Sequence, residues 1–243
     1  MEPLIIILSP RDIPEVKAAV DSLPYDRLWI KYYPAFEAYP LAEKMFNAPE
    51  ARYKYTHMIL IIDDLVVMPE QLQTLIEDML LLPDMFQDMS VVAGYCNIDT
   101  RKYSVLSNVS LFDPPVMKPR TLDSYRFLTM SQIQSFKNIS DSGKSNHPFN
   151  PYLFMTPMNG FACWVIPRTV KDLFHFRNDS PSGYDEMGCC WDVMSCDQLR
   201  QLKIPIFTDM RVKLQHLRYA QISITSKDLV DKNKYVFWES KGK

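Results

Sequence analysis

Glycine is scarce in this 243-residue chain, with six residues against 18 prolines. That leaves nothing from which to build a glycine-rich loop around a phosphate after the first apolar run, so the glycine-based nucleotide-binding fingerprints are absent. Long apolar runs are missing too. The longest, residues 4–8 and 58–62, fall far short of the roughly 18 residues that a bilayer-crossing helix needs. The N-terminus, Met1-Glu2-Pro3, lacks the basic and small-residue features of a secretory signal, and a cytoplasmic protein is expected. The five cysteines (Cys96, Cys163, Cys189, Cys190, Cys196) are odd in number and form no CxxC pair, which excludes a zinc module and a disulfide framework. Small buried hydrophobes are their expected role. No Gly/Ser-rich or uniformly charged stretch offers a linker, so residues 1–243 read as one domain.

What is present is ordinary for a globular protein: 47% hydrophobic and 23% charged residues, with 13 Phe, 13 Tyr and 4 Trp. Disordered, collagenous and coiled-coil classes are thereby excluded. The net charge of −2 hides a division: residues 203–243 hold nine Lys/Arg against four Asp/Glu, a local +5 that leaves −7 over residues 1–202. A basic end of this kind suits an anionic ligand, whereas the acidic body argues against nucleic acid. Residues 227–238 mix Lys with Val, Tyr, Phe and Trp, a composition compatible with peripheral membrane contact. A packed C-terminal helix, with the last ten or so residues solvated, is the preferred reading.

Periodicity gives the framework. Residues 4–9 are an aliphatic run too short for a helix and rich in Ile, which predicts a buried strand. Asp12 as a cap, Glu15 three residues on and Pro14 in the first turn predict a helix over 13–23. Residues 28–33 predict a strand, 41–46 a short helix, and 58–62 another buried strand ending in Asp63-Asp64. Pro69 with Leu72, Leu75, Ile76, Met79 and Leu80 at helical spacing predicts an amphipathic helix, followed by a strand over 91–96. This alternation is the signature of a doubly wound, mostly parallel sheet with helices on both faces. Ligands bind such sheets beyond the carboxyl ends of the strands, where the Asp63-Asp64 pair stands. Further on, 103–111 reads as a strand, 137–151 as an exposed loop, 161–166 as a strand, and a short helix starts near Thr169. A second loop at 179–188 precedes a helix over 191–202, and two short strands, 204–208 and 212–217, follow.

Four features are able to carry chemistry: Asp63-Asp64 after a buried strand, Asn159-Gly160 before one, Asp192 at a helix start, and His216 ending a late strand. Each has an ordinary alternative. An acidic pair can cap the next helix, an aspartate at a helix N-terminus complements the dipole, and a lone histidine is usually a hydrogen-bonded structural residue.

In order and spacing, however, the four resemble the GT-A-fold glycosyltransferases, closest to the compact inverting enzymes of the family 2 type. Pro3-Leu-Ile-Ile-Ile-Leu-Ser-Pro-Arg11 is similar to that family's first strand and donor-nucleotide loop. Met58-Ile-Leu-Ile-Ile-Asp-Asp-Leu-Val-Val-Met-Pro69 is similar to the strand bearing its metal-binding aspartates. Asn159-Gly-Phe-Ala-Cys-Trp-Val-Ile-Pro-Arg168 resembles the strand under its acceptor site. Trp191-Asp-Val-Met-Ser-Cys-Asp-Gln-Leu-Arg200, then Ile204-Pro-Ile-Phe-Thr-Asp209 and His216, resemble its base-bearing helix, next strand and late histidine. The acidic motif departs from the family's usual Asp-any-Asp, and Trp191 stands where a Glu commonly precedes the base.

The resemblance implies a single GT-A-like α/β domain, with residues 1–100 as the nucleotide-sugar-binding half, 101–220 as the acceptor half and 221–243 as an extension. It implies a metal-dependent inverting transfer from a nucleotide-sugar donor, a UDP- or GDP-sugar, to a hydroxyl of a glycan, lipid or protein acceptor. Aligned on Val66-Val67-Met68-Pro69, Asp64 would ligate Mn²⁺ or Mg²⁺ with His216, and Asp63 would contact the donor with Ser9 and Arg11. Asp192 would be the base, with Asn159, Gly160 and Trp191 on the acceptor side. Trp191 would desolvate the Asp192 carboxylate and raise its pKa. Arg211, Lys213 and Arg218 are further candidates for the diphosphate, the loops at 137–151 and 179–188 are lid candidates, and Asp197 is read as surface. The alternatives are a non-catalytic binding or structural module of the same fold and a sugar nucleotidyltransferase. The latter is disfavoured by the missing phosphate loop, and a processive membrane synthase by the lack of a Gln-x-x-Arg-Trp motif.

Overall fold

The computed structural model describes residues 1–98, 106–111, 126–144, 149–177, 191–217 and 233–241. Strand β1 (Pro3–Ser9) is buried along its whole length and pairs in parallel with β2 (Arg27–Lys31) and β3 (His57–Ile62). With β5 (Val91–Tyr95), β8 (Leu153–Met155), β10 (Trp164–Pro167), β11 (Ile206–Lys213) and β13 (Tyr235–Glu239) they form an eight-stranded sheet, ordered β13-β2-β1-β3-β10-β5-β11-β8. Strands β2, β1, β3, β5 and β11 run one way, while β13, β10 and β8 run against them. The result is a mixed α/β architecture with a large, mostly parallel central sheet flanked by helices.

Alternation within the strands divides the core. Leu4, Ile6, Leu8, Leu28, Ile30, Met58 and Leu60 face α2 (Ala35–Asn47) and α8 (Trp191–Gln201). Ile5, Ile7, Trp29, Ile59 and Ile61 face α1 (Pro14–Ser22) and α4 (Pro69–Leu81). Strands covered on both faces require continuous apolar runs, which is why these segments lack polar alternation. Short helices α3 (Pro49–Arg52), α5 (Asp84–Gln87) and α7 (Arg168–Lys171) fill connections. A second sheet, β7-β6-β9, is built from β7 (Phe127–Thr129), β6 (Leu106–Ser110) and β9 (Met158–Asn159). A third, two-stranded sheet joins β4 (Leu65–Val66) to β12 (Gln215–His216). Among the described residues no helix is long and apolar enough to cross a membrane, and Cys96, Cys163 and Cys196 are buried free thiols. Cys189, Cys190 and the loop at 179–188 lie outside the described residues.

Several expectations need correction. Asp12 does not cap α1: Ile13 holds the N-cap position without a side-chain bond, and Asp12 instead binds Lys31 and Tyr32. Helix α2 starts at Ala35 and runs through Pro40. That proline sits on the exposed face, opposite buried Ala38, Tyr39, Ala42 and Phe46, and the carbonyl it leaves without a donor, that of Phe36, belongs to an exposed residue. Residues 137–141 are not loop but the end of α6 (Met130–Asp141), started by a Thr129–Gln132 capping box. Only Ile133 and Ser140 are buried there, so the apolar period is weak. The two late strands are joined differently: β11 is one strand with a register shift between Thr208 and Lys213, and His216 belongs to β12. Residues 235–239 form neither helix nor free tail but the edge strand β13, antiparallel to β2. There Arg27, fully buried, is met by Glu239 at 2.6 Å.

The register shift in β11 has an electrostatic consequence. Asp209 is fully buried and takes Arg211 Nη2 at 2.5 Å, while Arg211 also reaches Asp78 at 2.8 Å from α4. Arg211 is thus committed away from the proposed diphosphate, and one guanidinium serves two buried carboxylates. Burial and the neighbouring Asp209 push the Asp78 carboxyl up to about 8. Between an unfolded pKa of about 3.9 and this value, the native state holds a proton that the unfolded chain has lost. Stability from this group is therefore complete at low pH and is lost as pH rises through about 8. Urea unfolding of the wild type is expected to lose on the order of 1 kcal/mol between pH 7 and 9. Asp78→Asn, whose amide replaces the proton, is expected to show no such loss.

Candidate functional site at the carboxyl ends of the parallel strands

Ser9, Asp63-Asp64 and Cys96-Asn97 follow β1, β3 and β5, whose common direction brings them to one rim of the sheet. The loop before β10, which runs against β3 and β5, reaches the same rim through Gly160, Phe161 and Cys163. Phe161 (φ 30°) and Cys163 (φ 53°) have left-handed backbone, as does Tyr32 (φ 61°) beyond β2. Non-glycine residues hold such conformations only where surrounding contacts enforce them, and they concentrate at functional rims.

Asp63 and Asp64 are 4% and 8% exposed, so their charges require partners. Arg11 supplies the first. Its Nε and Nη2 fork onto Asp63 at 2.9 and 2.7 Å, its backbone N–H donates to the same carboxylate at 2.9 Å, and Nη2 also reaches Asp64 Oδ2 at 3.0 Å. Burial pushes the Asp63 carboxyl up against this pull. For Asp64 burial acts in the same direction, but His216 and Arg11 hold it below the ordinary range. Asp63 is therefore locked onto Arg11. Ser9 is also engaged within the protein, donating to Arg11 O at 2.6 Å and accepting from Lys31 Nζ at 3.0 Å.

His216 arrives by strand pairing. β12 lies antiparallel to β4, with His216 opposite Leu65, and Leu217 N–H donates to Asp64 O at 2.7 Å. The imidazole Nδ1 is 2.9 Å from Asn97 O. A carbonyl only accepts, so Nδ1 carries the proton and Nε2 faces Asp64 Oδ2 at 3.5 Å. A neutral ring would oppose its lone pair to a carboxylate, so this geometry requires a proton or a cation between them. Burial lowers the pKa of His216, but Asp64 and the Asn97 carbonyl outweigh it and raise it overall. Among the described residues Asp64 Oδ1 is buried without a hydrogen-bond partner.

Those groups bear on the implied divalent cation. Asp64 Oδ1 is an unused oxygen and His216 Nε2 a nitrogen directed at the same carboxylate, whereas Asp63 has both oxygens on Arg11. Among the described residues no group of three or more His, Cys, Asp and Glu side chains is arranged to hold a metal. The pair fits a cation that takes two protein ligands and completes its shell from phosphate oxygens and water, as Mg²⁺ and Mn²⁺ do.

Asp192 lies in the first turn of α8. Its Oδ1 accepts from Val193 N–H at 2.8 Å, and its Oδ2 lies 2.8 Å from where a Cβ on Gly160 would stand. Burial raises its pKa to about 7, despite the backbone bond to Val193. Trp191 is 3% exposed and stacks on Tyr39 with ring centroids 4.9 Å apart. Its Nε1 is buried without a partner among the described residues. Asn159 does not face an acceptor. It is fully buried, its Nδ2 donates to Gly94 O and Thr208 Oγ1, and its Oδ1 accepts from Trp164 Nε1. Asp197 pairs with Arg200 at 3.1 Å, Lys213 is exposed, and Arg218 lies outside the described residues.

Sequence reasoning missed Asn97 and Asn108. The signal for Asn108 was an amide in the middle of a buried strand, Leu106-Ser-Asn-Val-Ser110, where an unsatisfied polar group is costly.

No family model matches the chain, and no curated protein matches it. Among solved structures it is similar to the protein A197 from STIV, at 12% identity and a TM-score of 0.47 over 89% of this chain and 94% of that one. A likeness of this depth leaves activity to be argued from the residues themselves.

Asp192 yields a test that needs no substrate. Its folded pKa of about 7 exceeds the unfolded value of about 3.9, so the contribution is present at low pH and lost as pH rises through 7. Asp192→Asn is expected to match the wild type near pH 4 and to exceed it at pH 8 by about 4 kcal/mol in urea unfolding. A carboxyl with an ordinary native pKa would give no such pH-dependent gain.

Proposed function

We propose that the chain is a metal-dependent, inverting glycosyltransferase that moves a sugar from a nucleoside-diphosphate donor, a UDP- or GDP-sugar, to a hydroxyl of a glycan, lipid or protein acceptor. A cytoplasmic location goes with this reading. The observation that carries it is the joint presence, at one rim, of the Asp64–His216 pair with an unpartnered carboxylate oxygen and of Asp192 with its pKa near 7.

The two groups suit the two halves of such a displacement. As the new bond forms between acceptor oxygen and anomeric carbon, the bond to the diphosphate oxygen breaks and its electron pair leaves with the diphosphate. The acceptor proton passes to Asp192 Oδ2, and a base titrating near the working pH is well matched to that task. Asp64 and His216 would hold Mn²⁺ or Mg²⁺, which when bound supplies positive charge to the departing diphosphate. Arg11 keeps Asp63 neutralised and in place, and Trp191 with Tyr39 keeps water from the flank of Asp192.

Calorimetry with UDP and GDP, with and without Mn²⁺, is expected to give metal-dependent binding that Asp64→Ala removes. Asp192→Asn is expected to keep that binding and to lower release of nucleoside diphosphate from the donor by about 10²- to 10⁴-fold. Donor binding without any release by the wild type would instead identify a non-catalytic module. Metal-dependent binding that survives in Asp64→Ala would sink the ligand assignment.

A further inference from the structure

Asn108 sits on β6, outside the central sheet, and is 1% exposed. Its bonds are unusually complete. Toward β5, its N–H donates to Cys96 O at 3.0 Å and its Oδ1 accepts from Cys96 N–H at 2.8 Å. Toward the loop before β10, its backbone O accepts from Gly160 N–H at 3.0 Å and its Nδ2 donates to Gly160 O at 3.0 Å. One residue thus holds both backbone groups of Cys96 and both of Gly160. Nδ2 also reaches Asn159 Oδ1 at 3.3 Å.

The two gripped residues belong to opposite halves of the rim. Cys96 precedes Asn97, whose carbonyl fixes His216 against Asp64. Gly160 is the surface on which Asp192 rests: a Cβ there would be 2.8 Å from Asp192 Oδ2 and 3.4 Å from Asn108 Cβ. Only hydrogen fits that gap.

We infer that Asn108 is a positioning residue that acts through Gly160 on the Asp192 carboxylate and through Cys96 and Asn97 on His216, tying the two halves of the site to one side chain. As a role in catalysis this rests on the reading of Asp192 as the base; as geometry it does not. Residue type follows from the bonds. The position needs an acceptor and a donor on one short side chain, so Asp lacks the donor, Ser the reach and Gln the length match. Among the described residues, the titratable groups that feel Asp192 are the thiols of Cys96, after β5, and Cys196, on α8. Burial raises both, Asp192 raises both further, and Cys96 also feels Asp64. These thiols are neutral near pH 7, so a change in Asp192 protonation would report on its placement.

The experiment is a carboxyl ¹³C titration of aspartate-labelled protein without substrate, with the Asp192 signal assigned by its absence in Asp192→Asn. The wild-type midpoint is expected near 7. In Gly160→Ala, whose new methyl displaces Oδ2, and in Asn108→Ser and Asn108→Ala, which release Gly160 O, it is expected to move by about one unit or more toward the ordinary value. The His216 ring signals are expected to shift in both Asn108 variants and to stay put in Gly160→Ala, a division that general loss of stability would not produce. Gly160 has no left-handed backbone to strain, so its variant is expected to fold even where an Asn108 variant does not. An unmoved Asp192 midpoint in Gly160→Ala, or in either folded Asn108 variant, would overturn the inference. Absence of turnover of UDP- and GDP-sugars by the wild type, with the midpoint moved as expected, would instead defeat the catalytic reading and leave the positioning intact.

Discussion

Two adjacent carboxylates at the end of a fully buried strand cannot both be charged without compensation, and the rim of this sheet is organised around that constraint. Asp63 takes the guanidinium of Arg11 almost whole. Asp64 receives what Arg11 has left and the imidazole of His216. Because these partners come from the loop after β1 and from β12, neutralising the pair also fixes how both segments approach the end of β3. One oxygen of Asp64 is left over. A buried, unsatisfied acceptor is expensive, and here it stands beside a histidine.

The protein contains a second buried carboxylate pair for comparison, Asp78 and Asp209. There a single guanidinium, Arg211, serves both, and burial with mutual repulsion raises Asp78 until it keeps its proton near neutral pH. Among the described residues no histidine joins that cluster. The same electrostatic problem is met with a retained proton in one place and with an imidazole in the other. Asp192 is a third case, a carboxylate raised by burial with backbone N–H groups, Val193's and its own, in compensation.

Much of the fold was legible because strands buried on both faces must be continuously apolar. Residues 3–9, 57–62 and 91–95 announced themselves in that way, and the Leu72, Leu75, Ile76 and Met79 spacing announced α4. What failed to show follows equally from physics. Helix α6 buries little apolar surface, so its period was faint. Pro40 concealed the first turns of α2, because a proline inside a helix ordinarily ends it, whereas here it lies on the exposed face. The aromatic tail resembled a helix or a loose end until β2 was seen to offer it an unpaired edge.

The candidate site divides in the same manner. Sequence alone determined which residue types stand at the ends of strands, Asp63-Asp64, Gly160 and Asp192, because local pattern sets where a strand stops and a helix begins. Tertiary structure decided what each of them faces. Arg11 turned onto the aspartates rather than outward, and Asn159 into the core rather than toward a ligand. His216 was delivered to Asp64 by pairing of β12 with β4, residues more than a hundred positions apart. Asn108 gained its place by gripping two backbones at once. Charge, burial and reach are properties of neighbours in space, and no spacing along the chain specifies them.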